Sequence, residues 1–125
     1  MERLRQRADF LAAAAGRKVP APAFVLQARE RAPDGSSRVG FTVTKKIGNA
    51  VERNRIRRRL REVVRLAGPD RLRAGHDYVL IGRRAALSLP FARIVEDFEG
   101  ALQRLHQTTG AATRRLPAGR QRSQR

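Results

Sequence analysis

Between Lys45 and Arg65 the sequence carries nine basic side chains: Lys45, Lys46, Arg53, Arg55, Arg57, Arg58, Arg59, Arg61 and Arg65. Only Glu52 and Glu62 oppose them, which leaves a local excess of +7. Arginine's planar fork grips phosphate through two parallel hydrogen bonds and stacks on bases, so this segment has the chemistry of RNA contact. Arg53, Arg57 and Arg61 repeat at four-residue spacing, like with like, which costs helix stability unless a polyanion neutralises them. A search for catalytic groups returns little. His76 and His106 lie far apart in the chain, there is no cysteine, and no metal-ligand spacing surrounds either histidine. Asp70, Asp77, Glu96, Asp97 and Glu99 read as solvent-facing carboxylates, and Ser36, Ser37 and Ser88 as turn or cap residues. No glycine-rich phosphate loop is present. The residues therefore predict binding of a polyanion, with no metal site and no catalytic residue on this chain.

Those arginines need a helix to carry them. Asn49 is a good N-cap, Glu52 three residues on matches the capping box, and Gly68-Pro69 ends the element. Ile56, Leu60, Val63, Val64 and Ala67 form one apolar stripe. At about 100° per residue, with Ile56 as zero, Arg57, Arg61, Asn54, Arg65 and Arg58 lie between roughly 100° and 200°. Arg55 and Arg59 lie further round, and Arg53 sits near the apolar edge at the first turn.

Other elements frame this one. Leu4, Ala8, Leu11, Ala12 and Ala15 predict a first helix from Arg3 to Ala15, stopped by Gly16. Phe24 to Arg29 and Arg38 to Thr44 read as strands joined through the Pro33-Asp34-Gly35-Ser36-Ser37 turn, which predicts an antiparallel hairpin. An added strand around Arg17 to Pro20 is expected. Tyr78, Val79, Leu80 and Ile81 make a short apolar strand with both faces covered. Phe91, Ile94, Val95, Phe98, Leu102 and Leu105 form the stripe of a last helix, opened by Ser88-Leu89-Pro90. Residues 1–106 are read as one domain, and 107–125 as a disordered basic tail.

The whole chain supports the reading of its centre. In 125 residues there are 28 Lys+Arg against 11 Asp+Glu, a formal charge of +17. A small domain so charged repels itself and calls for a polyanionic partner. Lysine occurs only at Lys18, Lys45 and Lys46, so the charge is carried by arginine. The absence of cysteine excludes disulfides and thiolate metal sites and fits the cytoplasm. The Phe10 to Ala15 stretch is too short for a secretory signal, and no run approaches the roughly 20 apolar residues of a membrane span.

The segment Lys45-Lys46-Ile47-Gly48-Asn49-Ala50-Val51-Glu52-Arg53-Asn54-Arg55-Ile56-Arg57-Arg58 closely resembles the signature of the bacterial ribonuclease P protein family, centred on Arg53-Asn54-Arg55. Arg7-Ala8-Asp9-Phe10 resembles that family's N-terminal helix. Arg38-Val39-Gly40-Phe41-Thr42-Val43 and Gly75-His76-Asp77-Tyr78-Val79-Leu80-Ile81 resemble the strands before and after the motif. The resemblance spans roughly residues 3 to 105 and implies a two-layer α/β (α+β) sandwich of one small domain. Its order would be α-β-β(-β)-α-β-α with an unusual left-handed βαβ crossover, the fold type of the second domain of ribosomal protein S5.

It also implies the function. A catalytic RNA would position Mg²⁺ and cleave precursor tRNA, while this chain would be the non-catalytic protein subunit of the ribonucleoprotein endoribonuclease. The protein would bind no cofactor itself and need no other protein. Carried onto this chain, the resemblance assigns Lys45, Lys46, Asn49, Arg53, Asn54, Arg55, Arg57 and Arg58 to the catalytic RNA. It assigns Phe10, Phe41, Lys46, Arg57, Arg61 and Arg65 to the 5′ leader of the precursor, in a cleft between the arginine-rich helix and the sheet. Many family members have further aromatics where this chain has Ala12 to Ala15 and Gln27, so stacking is expected to count for less here. The alternative reading is another basic RNA-binding protein, ribosomal or an assembly factor, which would share the charge and the small α/β form.

Overall fold

The computed structural model describes residues 2–4, 6–31 and 35–112. In chain order the elements are β1 (Glu2–Arg3), α1 (Arg7–Ala14), β2 (Arg17–Pro20), β3 (Phe24–Glu30), β4 (Arg38–Thr42), α2 (Ala50–Ala67), β5 (His76–Gly82) and α3 (Phe91–Ala112). Single 3-10 turns at Lys45–Ile47 and Arg84–Leu87 precede α2 and α3. The expected small α/β sandwich is present, as a mixed five-stranded sheet with three helices. None of the described helices is long and apolar enough to cross a membrane.

The strand order is β1-β4-β5-β3-β2, so the expected hairpin between β3 and β4 does not exist. β5 lies between them, antiparallel to β3 and parallel to β4. The antiparallel hairpin is instead β2 with β3, in register from Arg17 opposite Ala28 to Pro20 opposite Val25. Two features of β5 explain its place. Its Tyr78 to Ile81 run is apolar on both faces and needs cover on both. Asp77 sits opposite Arg29 on β3 and Arg38 on β4, so inserting β5 separates two like charges that would oppose each other in a direct β3–β4 pair. Pro33 and Asp34 of the expected turn lie outside the described residues.

α2 and α3 cover one face of the sheet. Ile56, Leu60, Val63, Val64 and Ala67 of α2 are buried, the whole stripe read from the sequence. From α3, Ile94, Phe98, Ala101, Leu102 and Leu105 join them against Phe24, Leu26, Tyr78 and Leu80. Phe24 meets Phe98 edge to face, ring centres 6.2 Å apart. Each such side chain stabilises the fold by about 1.5–3 kcal/mol.

α1 is shorter than expected and packs on the opposite face. Residues 2 and 3 pair with β4 instead of starting the helix, and Leu4 is buried beside Ala13 and Val79. The expected stripe is wrong for this helix: Leu11 is 59% exposed, and Ala13 is its buried residue. Phe10 supplies the contact, lying over Gly40, where a Cβ would come within 2.6 Å of the ring. At the other end of the chain, α3 continues through Gln107 to Ala112, past the expected start of the tail. Residues 113–125, the rest of that segment, lie outside the described residues.

Arg59 shows how one arginine of the basic helix serves the fold. Its guanidinium donates to the carbonyls of Ala86 at 2.8 Å, Leu87 at 3.2 Å and Leu89 at 2.8 Å, pinning the link into α3 onto α2. Arg59→Ala is expected to lower stability by about 1–3 kcal/mol, because these acceptors lose a charged donor. Urea denaturation measures this; an unchanged midpoint would show the link holding itself.

Candidate nucleic-acid interface

The N-terminus of α2 is a rigid platform. The Asn49 side chain accepts from the Glu52 amide at 2.9 Å, and the Asn49 amide donates to Glu52 Oε1 at 3.0 Å, completing the capping box. The expected RNA-contacting residues then divide by what they already hold. Arg53 is half-buried and donates to the Gly48 carbonyl at 2.7 Å. Arg57 donates to Asn54 Oδ1 at 2.9 Å. Arg65 is paired with Glu62, whose carboxyl is held below its ordinary range by that hydrogen bond. Lys45, Lys46, Arg55 and Arg58 are exposed and have no partner among the described residues. Arg55 and Arg58, three apart on the helix, are neighbours on its surface. These four cations form the part of the motif available to a polyanion without breaking an internal contact.

Among the described residues the space between α2 and the sheet is packed, not open as expected. Ile56, Leu60, Val63 and Val64 fill that space as core. An open cleft of about 400 Å³ lies on the opposite face, between α1 and the sheet. Phe10, Leu11, Gln27, Phe41, Val79 and Ile81 line it, with Arg7 among its other residues. Of the residues expected to contact the leader, only Phe10 and Phe41 line this cleft. Arg61 reaches it indirectly, its guanidinium 5.9 Å from the centre of the Phe41 ring. Lys46, Arg57 and Arg65 are not among the residues lining it. Gln27 is only 5% exposed, and its side-chain amide has no hydrogen-bond partner among the described residues. Its polar atoms are not among the buried unpartnered ones, so the amide opens on the cleft and can meet a ligand's polar edge there.

One end of the α1-facing side of the sheet is strongly charged. Asp77, expected on a solvent face, is fully buried on β5. It accepts from Arg29 Nε at 3.3 Å, Arg31 Nε at 3.0 Å and Arg38 Nη2 at 2.7 Å. Asp9 of α1 joins the same cluster through Arg29 at 3.4 Å and Arg38 at 3.2 Å. Burial opposes the Asp77 charge, but hydrogen bonds from Arg38 and Arg31 prevail and hold its carboxyl at about 2.

The two histidines, remote in sequence, are neighbours in space, with ring centres 6.3 Å apart. The Arg73 amide donates to the Tyr78 hydroxyl at 2.9 Å, which leaves the phenol proton for His106 Nε2, also at 2.9 Å. Burial, Arg73 and His76 push His106 down to about 4, so it is neutral at neutral pH. His76 is tied to the Ala74 carbonyl at 3.1 Å. Both rings serve to dock α3 on β5, and among the described residues no three His, Asp or Glu side chains converge to hold a metal ion.

Comparison with known proteins draws these features together. The family model described as Ribonuclease P matches residues 1–106. The chain is 51% identical over 106 residues to the ribonuclease P protein component of Ruegeria pomeroyi, covering 82% of this chain and 85% of that protein. It is 52% identical over 103 residues to that of Gluconacetobacter diazotrophicus, covering 82% and 89%. Among solved structures, the ribonuclease P protein from Thermotoga maritima superposes with a TM-score of 0.70 at 32% identity, over 83% of this chain and 97% of that one.

Proposed function

Since the chain belongs to the ribonuclease P protein family, we propose that it is the non-catalytic protein subunit of a ribonuclease P ribonucleoprotein. In this reading it acts in the cytoplasm on the maturation of tRNA 5′ ends. The catalytic RNA holds Mg²⁺ and cleaves precursor tRNA, and this chain binds that RNA and the 5′ leader. The observation that carries the reading is the capped N-terminus of α2, where Lys45, Lys46, Arg55 and Arg58 present charge with no internal partner among the described residues. A polyanion binding there gains charge-assisted contacts and disrupts nothing. The leader lies in the cleft between α1 and the sheet. Phe10 and Phe41 offer faces to its bases, the Gln27 amide offers a donor pair and an acceptor to a base edge, and Arg7 lies among the cleft residues. Mixed leader sequences suit such a site, because every base has a face to stack.

The chain's share of catalysis is then positioning, and the test separates it from chemistry. Phe10→Ala with Phe41→Ala is expected to raise KM for leader-bearing precursor at least about tenfold, since each base stack lost costs about 1–3 kcal/mol. Single-turnover cleavage at saturating substrate and Mg²⁺ falls much less, and mature tRNA, which has no leader, binds as before. Catalytic RNA alone in high Mg²⁺ cuts the same phosphodiester. Cleavage of precursor by the protein alone, abolished by His76→Ala or His106→Ala, would place the chemistry on this chain and end the proposal.

A further inference from the structure

The loop that enters α2 is held by side chains on both sides. Arg84, which follows β5 and is 37 residues from Ile47 in sequence, donates through Nη1 to the Ile47 carbonyl at 2.8 Å. Its other nitrogen, Nη2, donates to Glu52 Oε2 at 2.8 Å. Glu52 Oε1 in turn takes the Asn49 amide, and Arg53 takes the Gly48 carbonyl. Two consecutive carbonyls and the next amide are therefore fixed by three side chains from two parts of the chain. Gly48 is extended, at φ 168°, a conformation open to any residue, so its glycine answers a need for space. A Cβ there would collide with Glu52 Oε1 and come within 2.9 Å of Arg84 Nη1. The same loop carries Lys45, Lys46 and Asn49. Glu52 is an acid amid these cations, and Arg84 is its ion-pair partner.

We propose that Arg84 is a positioning residue for RNA docking, a guanidinium that braces the Ile47–Asn49 loop and screens Glu52 so that Lys45, Lys46 and Arg55 meet phosphates in a preset arrangement. The inference rests on the docking role given above to the N-terminus of α2. In this proposal Arg84 acts through the loop: each of its terminal nitrogens already donates to a protein acceptor, the Ile47 carbonyl and the Glu52 carboxylate, at an exposed position. A lysine carries the same charge at one point and cannot span the carbonyl and the carboxylate together.

The salt dependence of binding distinguishes bracing from direct contact. Removing a side chain that touches phosphate lowers the log–log slope by about 0.7–0.9, whereas a loosened loop pays an ordering cost with the same number of ions released. With the full-length protein and ribonuclease P RNA, Arg84→Ala is expected to weaken binding about tenfold at an unchanged slope, the cost of re-ordering the loop. Arg84→Lys does not restore the affinity. Gly48→Ala, which disturbs the same packing without touching any charge, gives the same pattern and serves if Arg84→Ala folds poorly. A slope lowered by about one unit, with lysine restoring affinity, would make Arg84 a direct phosphate ligand and overturn the proposal. Affinity unchanged in both Arg84→Ala and Gly48→Ala would also overturn it. If Arg55→Ala with Arg58→Ala leaves binding intact as well, the docking surface itself is misplaced, and the failure belongs to the underlying reading.

Discussion

Replacing Arg55 and Arg58 together by alanine is expected to weaken binding to ribonuclease P RNA about a hundredfold at moderate salt, and to lower the log–log salt slope by about 1.4–1.8. These two side chains are the natural pair to remove. They are exposed on the capped first half of α2 and have no partner among the described residues. Their removal thus takes away charge without leaving a buried group unsatisfied, and the melting temperature is expected to stay within a degree or two of the parent protein. Arg53→Ala differs, because it also frees the Gly48 carbonyl that its guanidinium holds at 2.7 Å. It combines a loss of charge with a loss of loop order. Arg59→Ala supplies the opposite control: its charge is turned onto the carbonyls before α3, so stability falls while the salt slope stays. Measuring affinity over a range of salt concentrations for the three variants checks the assignment. Equal slopes for the Arg55/Arg58 variant and the parent would show that the RNA lies elsewhere.

Asp77→Asn is expected to destabilise the fold by about 3–5 kcal/mol, the cost of breaking a buried ion pair while its partners remain. A domain of this size has only about 5–15 kcal/mol in total. The side chain is fully buried, and three guanidiniums, Arg29, Arg31 and Arg38, converge on it. Asparagine keeps the shape and removes the charge, so those cations face one another across the central strand. The effect depends on pH in a definite direction. Asp77 is held at about 2 in the fold against an ordinary value of 3.8. Its depressed value contributes stability that is fully present above about pH 4 and is lost as the pH falls through 4 towards 2. The stability gap between parent and Asp77→Asn therefore narrows over that window and is constant from about pH 5 to 7. Urea midpoints measured across both ranges check it; a gap independent of pH would mean that the charge of Asp77 does not support the sheet.

Much of this architecture was legible from local pattern. The α2 stripe, its Asn49–Glu52 capping box and the α3 stripe follow from the helical period and from backbone amides that need acceptors within a few residues. The apolar run of β5 predicted a strand covered on both faces, though not its place between β3 and β4. The first helix misled because alanine has little preference for a buried or an exposed site: Ala8, Ala12 and Ala15 sit at helical spacing, yet Phe10 and Ala13 make the contacts. Phe10 and Phe41, named by resemblance, do line one cleft, but that cleft opens between α1 and the sheet and not between α2 and the sheet as expected. Which face of a sheet a helix covers depends on how the chain crosses over, and spacing along one segment does not carry that information.

The sequence by itself determined that this chain is a small α/β domain whose second helix is anchored on one side and cationic on the others. Composition and period suffice for that, because charge excess and a 3.6-residue stripe are sums over neighbours in the chain. Only the tertiary structure decided which of those cations are free. Arg59 looks like Arg58 in sequence, yet its acceptors lie 27 to 30 residues away, on a link that no local rule brings near. Asp77 looked solvent-facing until β5 entered between two arginine-bearing strands, and Arg84 gained its place beside Gly48 in the same way. A side chain's availability to a ligand depends on whether the fold has already given it a partner, and such partners are set by contacts between distant segments.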